Sequence, residues 1–243
     1  MTLHLTDKTR TGLGRAASVA LLMMAAVAGT AILLPPTAGF ANEGMAIPAP
    51  ALDQAARSGT ETAILAGGCF WGVQGVFQHV NGVISATSGY AGGSVASPSD
   101  EQVSSGSTGN AEAVQIVFDP SKVTYGHLLQ IYFSVVHNPT ELNYQGPDTG
   151  TQYRSAIFPT DAEQAKIAKA YIAQLGGAGV FGAPIVTKVE PRAMFYRAED
   201  YHQDFLALNP NYPYIAANDL PKVADLKTFF PADFRAKPVL VLN

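Results

Sequence analysis

The stretch Gly67-Gly68-Cys69-Phe70-Trp71-Gly72 holds the sequence's only cysteine and its only tryptophan, two residues apart. Before it, Glu61 to Ala66 is a short apolar run that reads as a strand. After it, Phe70, Val73, Val76, Phe77 and Val80 fall at helical spacing and predict a helix over 70–80. Cys69 therefore stands at a strand–glycine turn–helix junction, where free backbone N–H groups and the helix dipole favour an anion. A thiolate is an anion, so the position is expected to lower the thiol pKa and make Cys69 a nucleophile. A lone cysteine is also a small buried hydrophobe in many chains. The double glycine and the helix start favour the reactive reading.

Other residues could assist a thiol. Glu112 opens a run in which Val114, Ile116 and Phe118 alternate with Ala113, Gln115 and Val117. On that apolar face a carboxyl has its charged form disfavoured, and its raised pKa suits a general acid. On spacing alone Glu112 is equally a frayed strand end in solvent. Tyr90 and Tyr153 lie beside glycine-rich or polar loops and could donate to a substrate oxygen. Most tyrosines, however, are half-buried packing residues. Asp148, in Gln145-Gly146-Pro147-Asp148-Thr149-Gly150, is either a polar site residue or a turn former. Five histidines are scattered without metal-ligand spacing, and there is no second cysteine, which argues against a zinc site. His202 is the candidate for a Cys–His dyad.

The elements that must position these residues follow in order. Val83–Tyr90 reads as a second strand, residues 94–110 as loop, and Glu112–Phe118 as a third strand. A helix capped by Thr124 runs to Val136, and residues 137–151 form a polar loop. Gln152–Phe158 is a fourth strand. Thr160 and Glu163 suggest a capping box for a helix to Leu175, ended by Gly176-Gly177. Ile185–Glu190 is a fifth strand, a short helix spans 199–208, and the rest reads as coil. The order β-α-β-β-α-β, then α-β, predicts an α/β (α+β) two-layer sandwich. Its mixed sheet carries helices on one face and has a split βαβ, ferredoxin-like core.

The ends differ from the middle. Lys8, Arg10 and Arg15 precede an almost wholly apolar run from Ala16 to Leu34, then Pro35-Pro36 and the small residues around Gly39-Phe40-Ala41. Residues 1–41 read as a signal peptide, with an uncleaved membrane anchor as the alternative. Either implies an exported, periplasmic or extracytoplasmic protein. Residues 42–58 are Ala- and Pro-rich and read as linker, 59–236 as one domain and 237–243 as tail. The chain's net charge is −4, and residues 1–41 carry three cations and one anion, which leaves −6 for the remainder. An acidic balance argues against nucleic acid as a partner. One cysteine rules out an internal disulfide. A monomer is expected, and nothing in the composition demands a metal, nucleotide or flavin.

Gly-Cys-Phe-Trp-Gly in a strand-to-helix turn resembles the A-type peptide-methionine sulfoxide reductases. Further stretches in the family's order are Gly89-Tyr90-Ala91-Gly92-Gly93, Glu112-Ala113-Val114 with Asp119-Pro120, and Gly150-Thr151-Gln152-Tyr153-Arg154-Ser155. Tyr201-His202-Gln203 and Pro213-Tyr214-Ile215 follow. The resemblance covers about 62–235. It implies reduction of methionine S-sulfoxide, free or in proteins, as repair after oxidative damage. It implies Cys69 as nucleophile and Glu112 as proton donor. It also implies Tyr90, Asp148 and Tyr153 as holders of the oxygen, and Phe70 and Trp71 as the pocket for the substrate methyl.

Asn110, Tyr144 and Pro147 stand where the family commonly has His, a basic residue and Asn. Many relatives also carry a resolving cysteine near the C terminus. None is present here, so the Cys69 sulfenic acid is expected to be reduced by an external thiol, a thioredoxin, a glutaredoxin or a small thiol. Rival readings are a sulfoxide-binding module without turnover, and a different thiol enzyme.

Overall fold

The computed structural model describes residues 44–242. The leader expected over 1–41 lies outside the described residues. The strands are β1 (Glu61–Ala66), β2 (Val83–Ala91), β3 (Ala111–Phe118), β4 (Tyr144–Gln145), β5 (Asp148–Thr149), β6 (Ala156–Ile157), β7 (Lys188–Val189) and β8 (Phe195–Arg197). The helices are α1 (Phe70–Gln78), α2 (Asp100–Ser104), α3 (Tyr125–Ile131), α4 (Ala162–Gly177), α5 (Phe205–Leu208) and α6 (Leu220–Phe229). Six strands form one sheet in the order β7-β6-β1-β3-β2-β8, and β4 and β5 form a separate hairpin.

The inner four strands, β6-β1-β3-β2, are antiparallel throughout. With α1 between β1 and β2, and α3 between β3 and β6, this is the expected split βαβ core. The parallel β6–β7 pair makes the sheet mixed, and β8 extends the other edge beside β2.

Alternation sets the two faces. Ala63 and Leu65 of β1 join Val114, Ile116 and Phe118 of β3 in the main core. Ile64, Ala66, Ala111 and Ala113 point to the opposite face, where small side chains admit the Ala193–Phe195 segment. Val73, Val76 and Phe77 of α1, Leu128 and Leu129 of α3, and Ile167 and Tyr171 of α4 fill the inner side. Each such large apolar side chain contributes about 1.5–3 kcal/mol on burial. Glu112 shares the inward face with Val114 and is 5% exposed, so it is not a frayed strand end. A register shift between Val83 and Ser85 puts both Val83 and Ala86 into this core.

Several elements differ from expectation. Gln152–Phe158 holds only a two-residue strand, because Thr151–Tyr153 forms a 3₁₀ turn that precedes it. The cap of α4 is Asp161, whose side chain accepts from the Gln164 N–H, while Gln164 Oε1 accepts from the Thr160 N–H. The Thr160/Glu163 capping box is thus displaced by one residue. A true capping box, Ser99 with Gln102, starts α2 inside the expected loop 94–110. The fifth strand shrinks to β7. The tail read as coil contains a π-type turn, Ile215–Asp219, running into α6. Pro in the first turn and inward Leu226 fit that helix.

Residues 44–58 are also not a free linker. Ile47 is buried in the core. Tyr171 donates to the Pro48 carbonyl, and the Gly44 N–H donates to Asp225 on α6 at 2.8 Å. Asp53 accepts from the Gly126 N–H at 2.8 Å and from the Thr124 hydroxyl, at the start of α3. The strap therefore ties α3, α4 and α6 together. Asp53→Ala is expected to lower the unfolding free energy by about 1–2 kcal/mol, the loss of a helix-start acceptor. Urea denaturation measures it, and an unchanged midpoint would mean the strap carries no load.

Candidate active site

Cys69 is the N-cap residue of α1, and Gly68 before it has φ +86°. A side chain at Gly68 would be strained at that angle and would meet Gln145 at 2.8 Å. Glycine therefore lets the chain turn from β1 into α1 with the thiol at the helix start. The Phe70 N–H, one of the helix's open donors, gives its hydrogen bond to Glu112 Oε2 at 3.0 Å. That bond brings the β3 carboxyl to the first turn of α1. The Cys69 side chain makes no capping hydrogen bond to the first turn of α1.

The electrostatics oppose the sequence expectation for the thiol. Cys69 is 8% exposed. Burial, then the negative fields of Glu112 and Asp219, push the thiol well above its ordinary range, outweighing the Trp71 N–H. A helix start alone does not make a thiolate when water is excluded and carboxylates stand close. Glu112 is pushed up to about 8, chiefly by burial and against the Phe70 hydrogen bond. At neutral pH the resting pair is thiol plus carboxylic acid.

Phe70 is buried, with its ring edge against His202 at 4.9 Å. Trp71 is half-buried and stacks on Phe205 at 4.0 Å. Tyr212 and Tyr214 meet its face or edge in T-shaped contacts. The Trp71 indole N–H donates to His202 Nδ1 at 3.2 Å, and His202 Nε2 lies 3.6 Å from Asp100. His202 thus serves Trp71, and the Cys–His dyad is not formed.

Asp148 opens β5 after the two-residue turn Gly146-Pro147 and accepts a hydrogen bond from the Tyr214 hydroxyl. Burial raises its pKa, while Tyr214 and Lys222 act to lower it. Pro147 fixes one backbone angle of the turn that presents Asp148. Tyr144 is exposed. Tyr153 is half-buried on the 3₁₀ turn, its phenol raised by burial and then by the charges of Glu112, Asp148 and Cys69. Tyr90 stands opposite Glu112 across β2 and β3, but its hydroxyl donates to Glu199 at 3.0 Å. That proton is therefore engaged by Glu199 in this structure, and Tyr90 braces that side chain. Glu199 in turn accepts from the Asp100 N–H. Asn110 accepts from the Gly93 N–H and donates to the Val95 carbonyl, pinning the glycine loop.

The structure thus gathers Cys69, Phe70, Trp71, Glu112, Asp148 and Tyr153. It adds residues absent from the sequence candidates. Cys69, His137, Gln145, Asp148, Tyr214 and Lys222 line one small pocket. Tyr214, Asp219 and Lys222 come from the tail read as coil. The usable signal was Asp219-Leu220-Pro221, a helix-start pattern, with apolar residues at Leu220, Val223 and Leu226. His137 is buried and neutral, its pKa lowered to about 3 by burial, and it hydrogen-bonds Ser155 at 2.6 Å. A larger hollow on the outer sheet face, lined by Thr62, Gln115, Arg192 and Met194, holds no thiol. Among the described residues no group of three acidic, His or Cys side chains could hold a metal.

Residues 61–233 match the family model described as peptide methionine sulfoxide reductase. The chain belongs to the peptide methionine sulfoxide reductase family. It is 63% identical to peptide methionine sulfoxide reductase MsrA 2 of Mesorhizobium japonicum over 79% of this chain and 98% of that protein. It is 50% identical to the MsrA of Deinococcus radiodurans over 70% of this chain and 82% of that one. Among solved structures it resembles methionine sulfoxide reductase A of Corynebacterium diphtheriae, with TM-score 0.55 and 33% identity over 72% of this chain and 92% of that one. The reduced form of Mxr1 from Saccharomyces cerevisiae gives TM-score 0.56 and 33% identity over 63% of this chain and 87% of that one. The reaction is therefore thiol-dependent reduction of methionine sulfoxide to methionine. The readings as a binding module without turnover and as a different thiol enzyme fall away.

The coupled pair sets the pH dependence. Thiolate beside carboxylic acid is one of two singly protonated arrangements. For the free enzyme kcat/KM is expected to rise through about 8, where Glu112 titrates, and to fall at the thiol's higher pKa. Glu112→Gln cannot lose a proton. It should reduce kcat/KM by about 10²–10⁴ and erase the alkaline descent. A pH–rate series on both proteins checks this. A descent that survives in Glu112→Gln would remove Glu112 from the acid role.

Proposed function

We propose that this reductase takes the S epimer of methionine sulfoxide, free or in proteins, with Cys69 as nucleophile and Glu112 as proton donor. The observation that carries the assignment is the Phe70 N–H to Glu112 hydrogen bond, which fixes a protonated carboxyl beside the only thiol. The faces of Phe70 and Trp71 receive the substrate methyl. Tyr153 donates to the sulfoxide oxygen, and Asp148, whose carboxylate accepts from the Tyr214 hydroxyl, holds that oxygen through a bridging water that donates to both. Sγ attacks the sulfoxide sulfur as Glu112 protonates the oxygen. The oxygen ends on Sγ and the sulfide leaves as methionine. The substrate sulfur gains two electrons, and Cys69 loses two and becomes a sulfenic acid.

Recycling follows from the lone cysteine. An external thiol attacks the Cys69 sulfenic acid, water leaves, and a mixed disulfide forms. A second thiol then releases Cys69 as thiol and carries away the disulfide. Cys69 is the sequence's one cysteine, so no internal thiol is at hand to resolve the sulfenic acid. A thioredoxin-like dithiol supplies both sulfurs in one partner. The basic and apolar leader, residues 1–41, supports action outside the cytoplasm, where such a reductant would have to be delivered.

Incubation of the protein with each sulfoxide epimer and dithiothreitol, followed by chromatography of methionine, tests the reading. Only the S epimer should disappear, and Cys69→Ser should abolish turnover. Without dithiothreitol, intact-mass analysis should show one equivalent of methionine and one added oxygen on the chain. Consumption of both epimers, or turnover by Cys69→Ser, would overturn the assignment.

A further inference from the structure

The mechanism above leaves one buried ion pair unused. Asp219 is fully buried, and its Oδ1 accepts from Lys222 Nζ at 3.0 Å, the lysine side chain being 12% exposed. Asp219 Oδ2 has no hydrogen-bond partner among the described residues. A buried pair in this state costs desolvation that its own attraction only partly returns. The pair also demands space. A Cβ at Gly72, on the first turn of α1, would lie 2.2 Å from Asp219 Oδ1 and 3.0 Å from Lys222 Nζ. Glycine three residues after Cys69 thus admits the pair to the helix start. Lys222 lines the same pocket as Cys69 and Asp148 and is the one lysine or arginine among that pocket's described lining.

We infer that Lys222 and Asp219 form a charge-setting pair for Cys69, in which the lysine supports the anionic sulfur during the reaction and the aspartate tempers that support. The groups facing the pair are carboxyls or neutral. Glu112 comes from β3, Asp148 from β5, and His137 from the segment after α3. Tyr214 and Asn218 come from the tail, and Cys69 from the start of α1. Two aspartates and an acid stand close to a sulfur that must become negative to attack. Without a cation the local field would oppose every anionic step. At a few ångströms in partly screened protein, one charge alters an ionisation by about tenfold or more. The inference deepens the assignment of Cys69 as nucleophile and rests on it.

The test reads the thiol directly, apart from turnover. Iodoacetamide alkylation of Cys69 at pH 8 is followed by mass spectrometry in the full chain. Lys222→Met should slow it about tenfold or more, Asp219→Asn should speed it, and Lys222→Arg should restore it toward wild type. A packing role predicts instead that both neutralising changes act in the same direction. Unchanged alkylation in Lys222→Met, or slowing by both variants, would overturn the inference. Should Lys222→Met alone fail to fold, Asp219→Asn/Lys222→Met leaves no buried unpaired charge. Its alkylation must then be slower than that of Asp219→Asn, and equality would sink the idea. Failure of wild-type turnover with normal alkylation would indict the reductase assignment instead.

Discussion

The hydrogen bond from the Phe70 N–H to the Glu112 carboxyl joins the two halves of the site. It satisfies an orphan donor at a helix start with a side chain from the central strand β3. Burial makes that carboxyl an acid that keeps its proton to about pH 8. The same burial suppresses the thiol. At neutral pH the site therefore stores its proton and its nucleophile in their unreactive forms. A buried carboxylate left unpaired would cost several kcal/mol, so neutrality is the resting solution.

Around this bond the fold supplies position. The β1–α1 turn fixes Cys69, the β4–β5 hairpin presents Asp148, and the turn before β6 presents Tyr153. The segment from Tyr201 to Lys222 closes the far side. Trp71 is held there by a stack, two edge contacts and one hydrogen bond, so its face is presented in one orientation. Elements far apart in sequence thus meet at the first turn of one nine-residue helix.

The legible parts of the sequence were those governed by local pattern. Period-two alternation offered Glu112 to the inward face of β3 while equally allowing a frayed strand end, and the glycine turn placed Cys69 at a helix start. The thiol's electrostatics were not legible, because Asp219 and Asp148 reach Cys69 only through tertiary packing. The partner of the Tyr90 hydroxyl was not legible for the same reason: its place opposite Glu112 is a matter of strand register, but its hydrogen bond goes to Glu199. The strands β6 and β7 are two residues each, too short for alternation to mark them. The strap 44–58 looked like linker because Ala and Pro carry no periodicity, although its backbone groups are spent on α4 and α6.

That strap has a consequence for how the chain can be processed. Gly44 is bound to Asp225, one turn from Lys222 on α6, while Asp53 closes the start of α3. A protease that trimmed the chain past Gly44 would remove a fastening of the helix that faces the thiol, though every catalytic side chain would remain. Maturation upstream of that glycine leaves the fastening whole. One backbone amide, 25 positions before the nucleophile, thus helps hold the helix that carries Lys222.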